Sequence, residues 1–494
     1  MSSESGPSAE SLDRTFVGGL AWTAGSKWVT QGLTWISVLI VARLLSPADF
    51  GLVEMAGLFF VIANVLAEFG IGTAVVQMRG LGRDVLAQLN TLSVAFSTLA
   101  FGIALLAAPA IAAFFRSEEV RMLVAVNSLA FFVTGFQAVP QGVLRRDLDY
   151  RRLSVAEAVQ SVVQAVTTVV AAWFGLAYWS LVIGHVLGKS SSAVLTVVWT
   201  RVPLRWPRMQ TVKAPLKFGY HVSVANLAGT FYAMADVIVV GRRLGDDLLG
   251  HYRMALTLAY APIDKIGALI MRVTGPLFAR IQSDHALIRR YFLIFTEILT
   301  LAVLPMCVGI ALVASELVTV VLGAKWLVSV GPLQFVSLFA GIRLISVLIS
   351  QILVALHRTA FTMHLSLISL FVMPVAFWFA AGWSLAAVGA AWLLLALTNV
   401  LPSYIVMARH IELPFRDFAS AFVPSFIACA VMAVGVALLR PHLQLHPDTA
   451  LWDLVMQSLL GAALYSGVIL LFFRSRTTRY IRFVRNLRQT GVPA

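Results

Sequence analysis

The residues with the clearest chemical potential are charged side chains that interrupt long apolar runs. Lys27 lies in such a run with Gln31, at the four-residue spacing that puts both side chains on one face of a helix. A charge at bilayer depth costs at least about 2.5 kcal/mol, so this face is expected to line protein or water and not lipid. A cation fixed in that setting can bind an anionic group. The run therefore predicts one wall of a hydrated cavity.

Other ionisable residues within apolar runs indicate the same cavity. The cations are Arg253 and Arg343, and the carboxylates are Glu68, Asp236, Asp264 and Glu157. Glu157 also heads a polar stripe of Gln160, Gln164 and Thr168. Intramembrane charges mark functional sites by default, so the carboxylates are predicted to bind a coupling H⁺ or Na⁺, or to act as counter-ions to the cations. The structural alternative is that these side chains form buried ion pairs or reach the interface from a helix end.

The composition excludes a water-soluble protein. Of the 494 residues, 59% are hydrophobic and only 12% are charged, which is too little polar surface to cover a soluble molecule of this size. The net charge of +14 would favour nucleic acid as a partner of a soluble protein, but here most of the basic residues fall between apolar runs and we expect no nucleic acid. The two cysteines, Cys307 and Cys429, lie far apart within apolar runs and predict neither a disulfide nor a metal site.

The apolar runs predict an all-α integral membrane protein with about fourteen transmembrane helices. The second run, 50–78, and the eighth, 251–278, are each expected to form one helix. In chain order we predict a cytoplasmic N-terminal tail (1–16), an N-lobe of six helices (17–199), a basic cytoplasmic connector (200–216), a C-lobe of six helices (217–408), two appended helices (409–473) and a basic cytoplasmic tail (474–494). The first run is longer than the core of a signal peptide, so we expect an uncleaved helix.

Basic residues are distributed unequally between the predicted loops. With a cytoplasmic N-terminus, 24 Lys and Arg residues fall in cytoplasmic segments, 7 in the opposite loops and 6 within spans, which accounts for all 37. Cytoplasmic loops of membrane proteins carry an excess of Lys and Arg. Both termini are therefore predicted to be cytoplasmic.

A weak internal repeat relates the two predicted lobes. The segment ARLLSPADFGLVEMA, beginning at Ala42, aligns without gaps to GRRLGDDLLGHYRMA, beginning at Gly241, an offset of 199 with five identities in fifteen positions. An even number of helices separates the copies, so they share one membrane orientation and predict a parallel repeat about an axis along the membrane normal. The offset pairs Glu54 with Arg253, and we predict that these opposite charges form a gate. The alternative is that each caps or snorkels at its own helix end.

The segment ARLLSPADFGLVEMA, followed by the glycine-rich EFGIGTAVVQ, resembles the first two helices of the polysaccharide transporter family of the MOP flippase superfamily, the Wzx-type translocases. The resemblance is strongest over residues 15–80. It implies a MOP/MATE-like fold in the bacterial inner membrane and a flippase, not an enzyme. Such a flippase moves undecaprenyl-pyrophosphate-linked oligosaccharide repeat units from the cytoplasmic to the periplasmic leaflet by alternating access, for O-antigen, capsule or exopolysaccharide assembly. Membrane lipids and a polymerase and chain-length regulator of the same pathway are the implied partners.

Under this hypothesis, Lys27, Gln31, Arg253 and Arg343 bind the pyrophosphate headgroup and its sugar. No cofactor is expected, because the sequence contains no nucleotide-binding loop. Membrane potential can assist instead, since it favours outward movement of each negative charge by about 2.3 kcal/mol per 100 mV. Two alternatives stay open: a cation-coupled multidrug antiporter of the same superfamily, which usually has about twelve helices, and an O-antigen ligase or polymerase, which carries a large outer loop.

Overall fold

The computed structural model describes residues 30–78, 80–440 and 450–474, and these residues form helices without any strand. They divide into two compact units, one ending at Gly250 and the other beginning at His251. The first unit contains α1 (Thr30–Leu44), α2 (Pro47–Glu68), α3 (Ile71–Gln77), α4 (Arg83–Phe115), α5 (Glu119–Asn127), α6 (Leu129–Arg146), α7 (Tyr150–Trp173), α8 (Trp179–Thr200) and α9 (Met209–Ala233).

The helix α10 (Ala235–Arg280) continues from the first unit into the second. The second unit then contains α11 (His285–Leu312), α12 (Ala314–Val321), α13 (Val330–Ala355), α14 (Thr359–Ala380), α15 (Leu385–Leu395), α16 (Leu401–His410), α17 (Phe415–Leu439) and α18 (Ala450–Phe472). A 3₁₀ segment, Ala324–Ser329, precedes α13, and a π-helical segment, Ala396–Val400, joins α15 to α16.

Within the described part of the chain, ten helices are long and apolar enough to cross a bilayer, or up to eleven if the bent pair Ala235–Ala268 and Val273–Arg280 forms one span. This confirms an all-α, multi-pass membrane protein. The predicted total of about fourteen spans is not confirmed. The predicted runs 17–42, 50–78 and 217–241 overlap α1, α2 and α9, which are helical but are not among the ten.

The turn before α2 is organised by Ser46 and Asp49. The Ser46 hydroxyl accepts from the Asp49 N–H at 3.3 Å, while the Asp49 carboxylate accepts from the Ser46 N–H at 2.8 Å. This reciprocal capping box satisfies N–H groups that have no partner within the helix. Asp49 also accepts from the backbone N–H of Tyr178, at the start of α8, at 3.1 Å. The sequence SPAD therefore starts α2 and ties it to α8.

We expected the run 50–78 to form one helix, but the structure divides it into two. It breaks at Phe69 and Gly70, which both have left-handed backbone conformations, with φ values of 41° and 61°. A Cβ at Gly70 would lie 2.6 Å from the Cα of Gly219 in α9, so the absence of a side chain permits this close approach. The sequence EFGIG has a glycine at the break, but because its neighbours are apolar the hydropathy pattern did not predict the break.

The run 251–278 also differs from the expected single helix, because it bends by 43° between Ala268 and Val273. It lies within the longer helix α10, which begins at Ala235. Inside α10, Gly245 has φ 88° and ψ −177°, which interrupts the helical backbone. Only glycine adopts this conformation without strain. Gly245 lies 199 residues after Ser46, which occupies the break between α1 and α2, so both copies of the repeat turn at the same position.

Each unit has its own apolar core. In the first unit, Ile71, Leu89, Val139 and Val212 are fully buried together and join α3, α4, α6 and α9. In the second, a larger cluster that includes Ile263, Phe292, Ile349 and Met407 joins α10, α11, α13 and α16. The second cluster holds α10 against α13, the two helices that carry the charged pair described next.

Candidate functional site

Two of the predicted site residues, Arg343 and Asp264, form an ion pair in the second unit. Arg343 projects from α13 and Asp264 from α10, and the Arg343 Nη2 donates to the Asp264 carboxylate. Their side chains are 36% and 53% exposed. The Arg343 guanidinium also lies 4.4 Å from the ring centroid of Tyr260, a cation–π contact. A guanidinium held this way keeps donors free for a second anion, because it has five N–H groups.

The seam between α10 and α13 carries further polar groups beyond the ion pair. The Thr274 hydroxyl donates to the Gln351 side-chain oxygen at 2.6 Å, and the Gln351 Nε2 lies 3.0 Å from the sulfur of Met271. These residues follow Asp264 and Arg343 along the same two helices. Hydrogen-bonded polar pairs link membrane helices, so this seam is held by more than apolar packing.

In the first unit, polar residues of α1 and the predicted polar stripe of α7 line one small cavity of about 100 Å³. Thr34 and Ser37 line it from α1, and Gln164 and Thr168 line it from α7. The Ser37 hydroxyl lies 3.4 Å from the Ala165 carbonyl oxygen. Gln31, one turn before Thr34, is half-buried. The cavity can hold a few waters but is too small for a sugar chain.

Part of the α7 stripe packs directly against α8. A Cβ at Gly184 would overlap the Thr168 hydroxyl, and one at Gly188 would lie 2.8 Å from the Cβ of Gln164. Small residues let membrane helices approach closely, so these glycines explain the tight α7–α8 packing. Glu157, at the head of the stripe, is half-buried.

The other predicted site residues lie apart from these two clusters. Asp236 is 1% exposed, and its carboxylate accepts from the backbone N–H of Val237 at 2.8 Å, in the first turn of α10. Glu54 is half-buried in α2, and Arg253 is exposed in α10. Glu68 is the last residue of α2, and its side chain lies outside the described structure, as does all of Lys27. Among the described residues, no group of three or more His, Cys, Asp and Glu is arranged to hold a metal ion.

Two sets of buried polar residues were missed by sequence reasoning. Glu316, at 3% exposure in α12, lies 3.6 Å from Arg440 and accepts from the Gln457 side chain at 3.2 Å. Asp453, one turn before Gln457, is also buried, and this four-residue spacing in the last apolar run was the available signal. His185 in α8 packs its ring edge against Phe60, and its buried Nε2 makes no hydrogen bond to any described residue.

Comparison with known proteins gives a consistent result. Residues 40–331 match the model of a family described as "Polysaccharide biosynthesis protein". The teichuronic acid biosynthesis protein TuaB of Bacillus subtilis (strain 168) is 24% identical over 453 residues, covering 89% of this chain and 93% of TuaB. The lipopolysaccharide biosynthesis protein WzxC of Escherichia coli (strain K12) is 24% identical over 439 residues, covering 87% and 88%.

Among solved structures, the lipid II flippase MurJ in an inward closed conformation matches with a TM-score of 0.72. The match covers 92% of this chain and 99% of MurJ at 14% sequence identity. At that identity the likeness establishes the fold alone. The expected all-α membrane fold is confirmed, and MurJ shares it.

Proposed function

Because the chain belongs to the polysaccharide biosynthesis protein family, we propose that it is a flippase for lipid-linked oligosaccharide repeat units. The substrate is an undecaprenyl-pyrophosphate-linked oligosaccharide, moved by alternating access from the cytoplasmic to the periplasmic leaflet of the bacterial inner membrane. Its product is used in O-antigen, capsule or exopolysaccharide assembly. A polymerase and a chain-length regulator are the proposed protein partners.

The names of similar proteins support this choice of substrate. TuaB and WzxC are named for teichuronic acid and lipopolysaccharide biosynthesis. MurJ, which shares the fold, is named as a flippase for lipid II. The family description and the names of TuaB and WzxC share the biosynthesis of a polysaccharide, and the name of MurJ adds the activity of a flippase.

The observation that carries the proposal is the contact of Arg343 with Asp264 and Tyr260 in the second unit. A pyrophosphate headgroup needs a cation with several donors, and arginine binds such oxygens in a bidentate manner. In the proposed cycle the headgroup displaces Asp264 from Arg343, and Asp264 pairs with Arg343 again after release. Lys27, Gln31 and Arg253 are the other proposed contacts of the headgroup and sugar.

We propose no cofactor for this transport. Membrane potential favours outward movement of the anionic headgroup, and H⁺ or Na⁺ binding at Glu68, Asp236, Asp264 or Glu157 is the proposed second source of energy. Both termini are proposed to be cytoplasmic, on the grounds that 24 of the 37 Lys and Arg residues then lie on the cytoplasmic side.

The test is a deletion strain complemented with the intact chain. Without the protein, the lipid-linked repeat unit should accumulate in the cytoplasmic leaflet, where mass spectrometry of extracted lipids identifies its sugar, and surface polysaccharide should be lost. Re-expression should reverse both effects. Normal surface polysaccharide in the deletion strain, with drug sensitivity as its only defect, would contradict the proposal and favour a multidrug antiporter.

A further inference from the structure

A cavity of about 740 Å³ lies at the basic end of the first unit, where the segments before α4, α7 and α9 meet. Its charged lining consists of five arginines and three aspartates: Arg83, Arg146, Arg152, Arg201, Arg205, Asp84, Asp147 and Asp149. Cations therefore outnumber carboxylates in a single concave site. Nothing in the proposed transport cycle uses these residues.

Three of the five arginines are committed to neighbours in the first unit. Arg205 pairs with Asp84 at 2.5 Å, and Arg152 pairs with Asp149 at 3.4 Å. Arg146 donates to the Leu81 carbonyl oxygen at 3.0 Å. The side chains of Arg83 and Arg201, in contrast, make no ion pair or hydrogen bond within the described part of the chain. Two guanidinium groups thus line the cavity with unused donors.

The wall that carries Arg201 and Arg205 is held in place by hydrogen bonds to α4. The Arg205 N–H donates to the Thr91 hydroxyl at 2.9 Å, and the Arg208 N–H donates to the Gln88 side-chain oxygen at 2.8 Å. The Asn90 side chain donates to the Val202 carbonyl oxygen at 3.1 Å. These bonds fix the backbone of the α8–α9 segment, so the cavity is built by the fold rather than formed by mobile side chains.

The rest of the lining is apolar and aromatic. Leu86, Val143, Leu144 and Val202 face the cavity, and Trp199 lies at the end of α8, a helix long and apolar enough to span the membrane. Tryptophan at a span end is typical of the headgroup level of a bilayer. Arginines beside an apolar wall at this level match a phosphate that remains attached to a hydrocarbon chain.

We propose that this cavity binds the phosphorylated headgroup of an anionic lipid in the adjacent leaflet, with Arg83 and Arg201 as the phosphate ligands. The two guanidinium groups contact the phosphate oxygens, and the apolar wall contacts the start of the lipid chain. Two sources share this chemistry, an anionic phospholipid and a prenyl pyrophosphate. This proposal does not rest on the proposed function, because lipid binding to the purified protein is measured without any transport.

The experiment measures binding to the purified full-length protein in a neutral detergent, from the shift of its unfolding temperature with ligand concentration. The ligands are phosphatidylglycerol, farnesyl pyrophosphate, inorganic pyrophosphate and the zwitterionic phosphatidylcholine. At about fivefold for each arginine, the double variant Arg83→Gln with Arg201→Gln should bind the active lipid about 25-fold more weakly. If the double variant loses binding of phosphatidylglycerol, the ligand is an anionic phospholipid. If it loses binding of farnesyl pyrophosphate, the ligand is a prenyl pyrophosphate.

The matched control is Arg290→Gln with Arg358→Gln, which removes two exposed arginines near the starts of α11 and α14 and should leave binding unchanged. If the glutamine variant does not fold, Arg83→Lys with Arg201→Lys replaces it in the test. This variant keeps both charges but loses the planar guanidinium groups, so it should bind the lipid with intermediate strength. Equal binding by the test and control variants would overturn the proposal. So would inorganic pyrophosphate binding as tightly as both lipids.

Discussion

Gly51 in α2 and Gly250 in α10 stand at matching positions of the 199-residue repeat, and each leaves room for the backbone of the other copy. A Cβ at Gly51 would overlap the carbonyl group of Asp246, and a Cβ at Gly250 would overlap that of Pro47. Pro47 and Asp246 are also 199 residues apart. Both contacts lie within the first unit. The weak sequence repeat thus corresponds to a reciprocal pair of contacts that a residue with a side chain cannot make.

Gly51→Ala should lower the stability of the protein. The new methyl group would meet backbone atoms, which cannot rotate away, and overpacking of this kind typically costs about 1–3 kcal/mol. The unfolding temperature of the purified protein in detergent measures the effect. Gly57→Ala, in the same helix, is the control, because a Cβ there meets nothing within 4 Å. Equal unfolding temperatures for the two variants would show that the Gly51 contact is not a constraint.

Arg343→Gln should impair export of polysaccharide while the protein stays folded. The ion pair with Asp264 is partly exposed, so it contributes at most about 1 kcal/mol to stability. Loss of a charged contact to the substrate costs about 1.5–3 kcal/mol, or a roughly 10- to 150-fold lower transport rate. Surface polysaccharide in the complemented deletion strain, normalised to protein level, measures this rate. Arg343→Lys should retain part of the activity, and Arg290→Gln should retain all of it.

Lys27→Ala should abolish export while the protein still inserts and accumulates. Lys27 lies outside the described residues, so this expectation rests on the cost of a charge at bilayer depth. Lys27→Arg should retain part of the activity, because in a hydrated cavity charge matters more than shape. The assay is the same complementation of the deletion strain. Full export by the alanine variant at normal expression would leave Lys27 with only a packing or snorkelling role.

Most of the helices could be predicted from the length of the apolar runs alone. Their interruptions could not, because the breaks at Gly70 and Gly245 involve single glycines, and glycine is also common inside membrane helices. What distinguishes these two is a left-handed backbone, and at Gly70 also the close approach of Gly219. Both features depend on three-dimensional contacts.

The charged residues of the candidate site could be predicted from the sequence, but which of them contact each other could not. Asp264 and Arg343 were identified because each is a charge in an apolar run, yet their contact spans 79 positions and depends on how α10 packs on α13. Glu316 was missed because it lies in the short helix α12, between the predicted spans. The expected headgroup contacts at Gln31 and Arg253 stay predictions.

The predicted orientation can be tested with two exposed tryptophans. Trp206, between α8 and α9, is 88% exposed and is predicted to be cytoplasmic, whereas Trp383, between α14 and α15, is 84% exposed and is predicted to be periplasmic. Both native cysteines are buried, which keeps background labelling low. In intact cells a membrane-impermeant maleimide should label Trp383→Cys and leave Trp206→Cys unlabelled until the cells are opened. The reverse labelling pattern would show that the orientation is opposite to the predicted one.

The predicted gate between Glu54 and Arg253 can be tested by exchanging their charges. Glu54 follows Gly51 by three residues, and Arg253 follows Gly250 by three residues, so both charges lie one turn beyond the glycines that make the reciprocal contacts. If the two side chains attract each other when the transporter closes, Glu54→Lys should impair export, because it sets one cation against another. The combined change Glu54→Arg with Arg253→Glu should restore export, since it reinstates opposite charges in reversed order. Cysteines at both positions should also crosslink in one conformation and not in the other. A combined variant that exports no better than Glu54→Lys, together with no crosslinking, would contradict the gate and leave each charge as a local interaction at its own helix end.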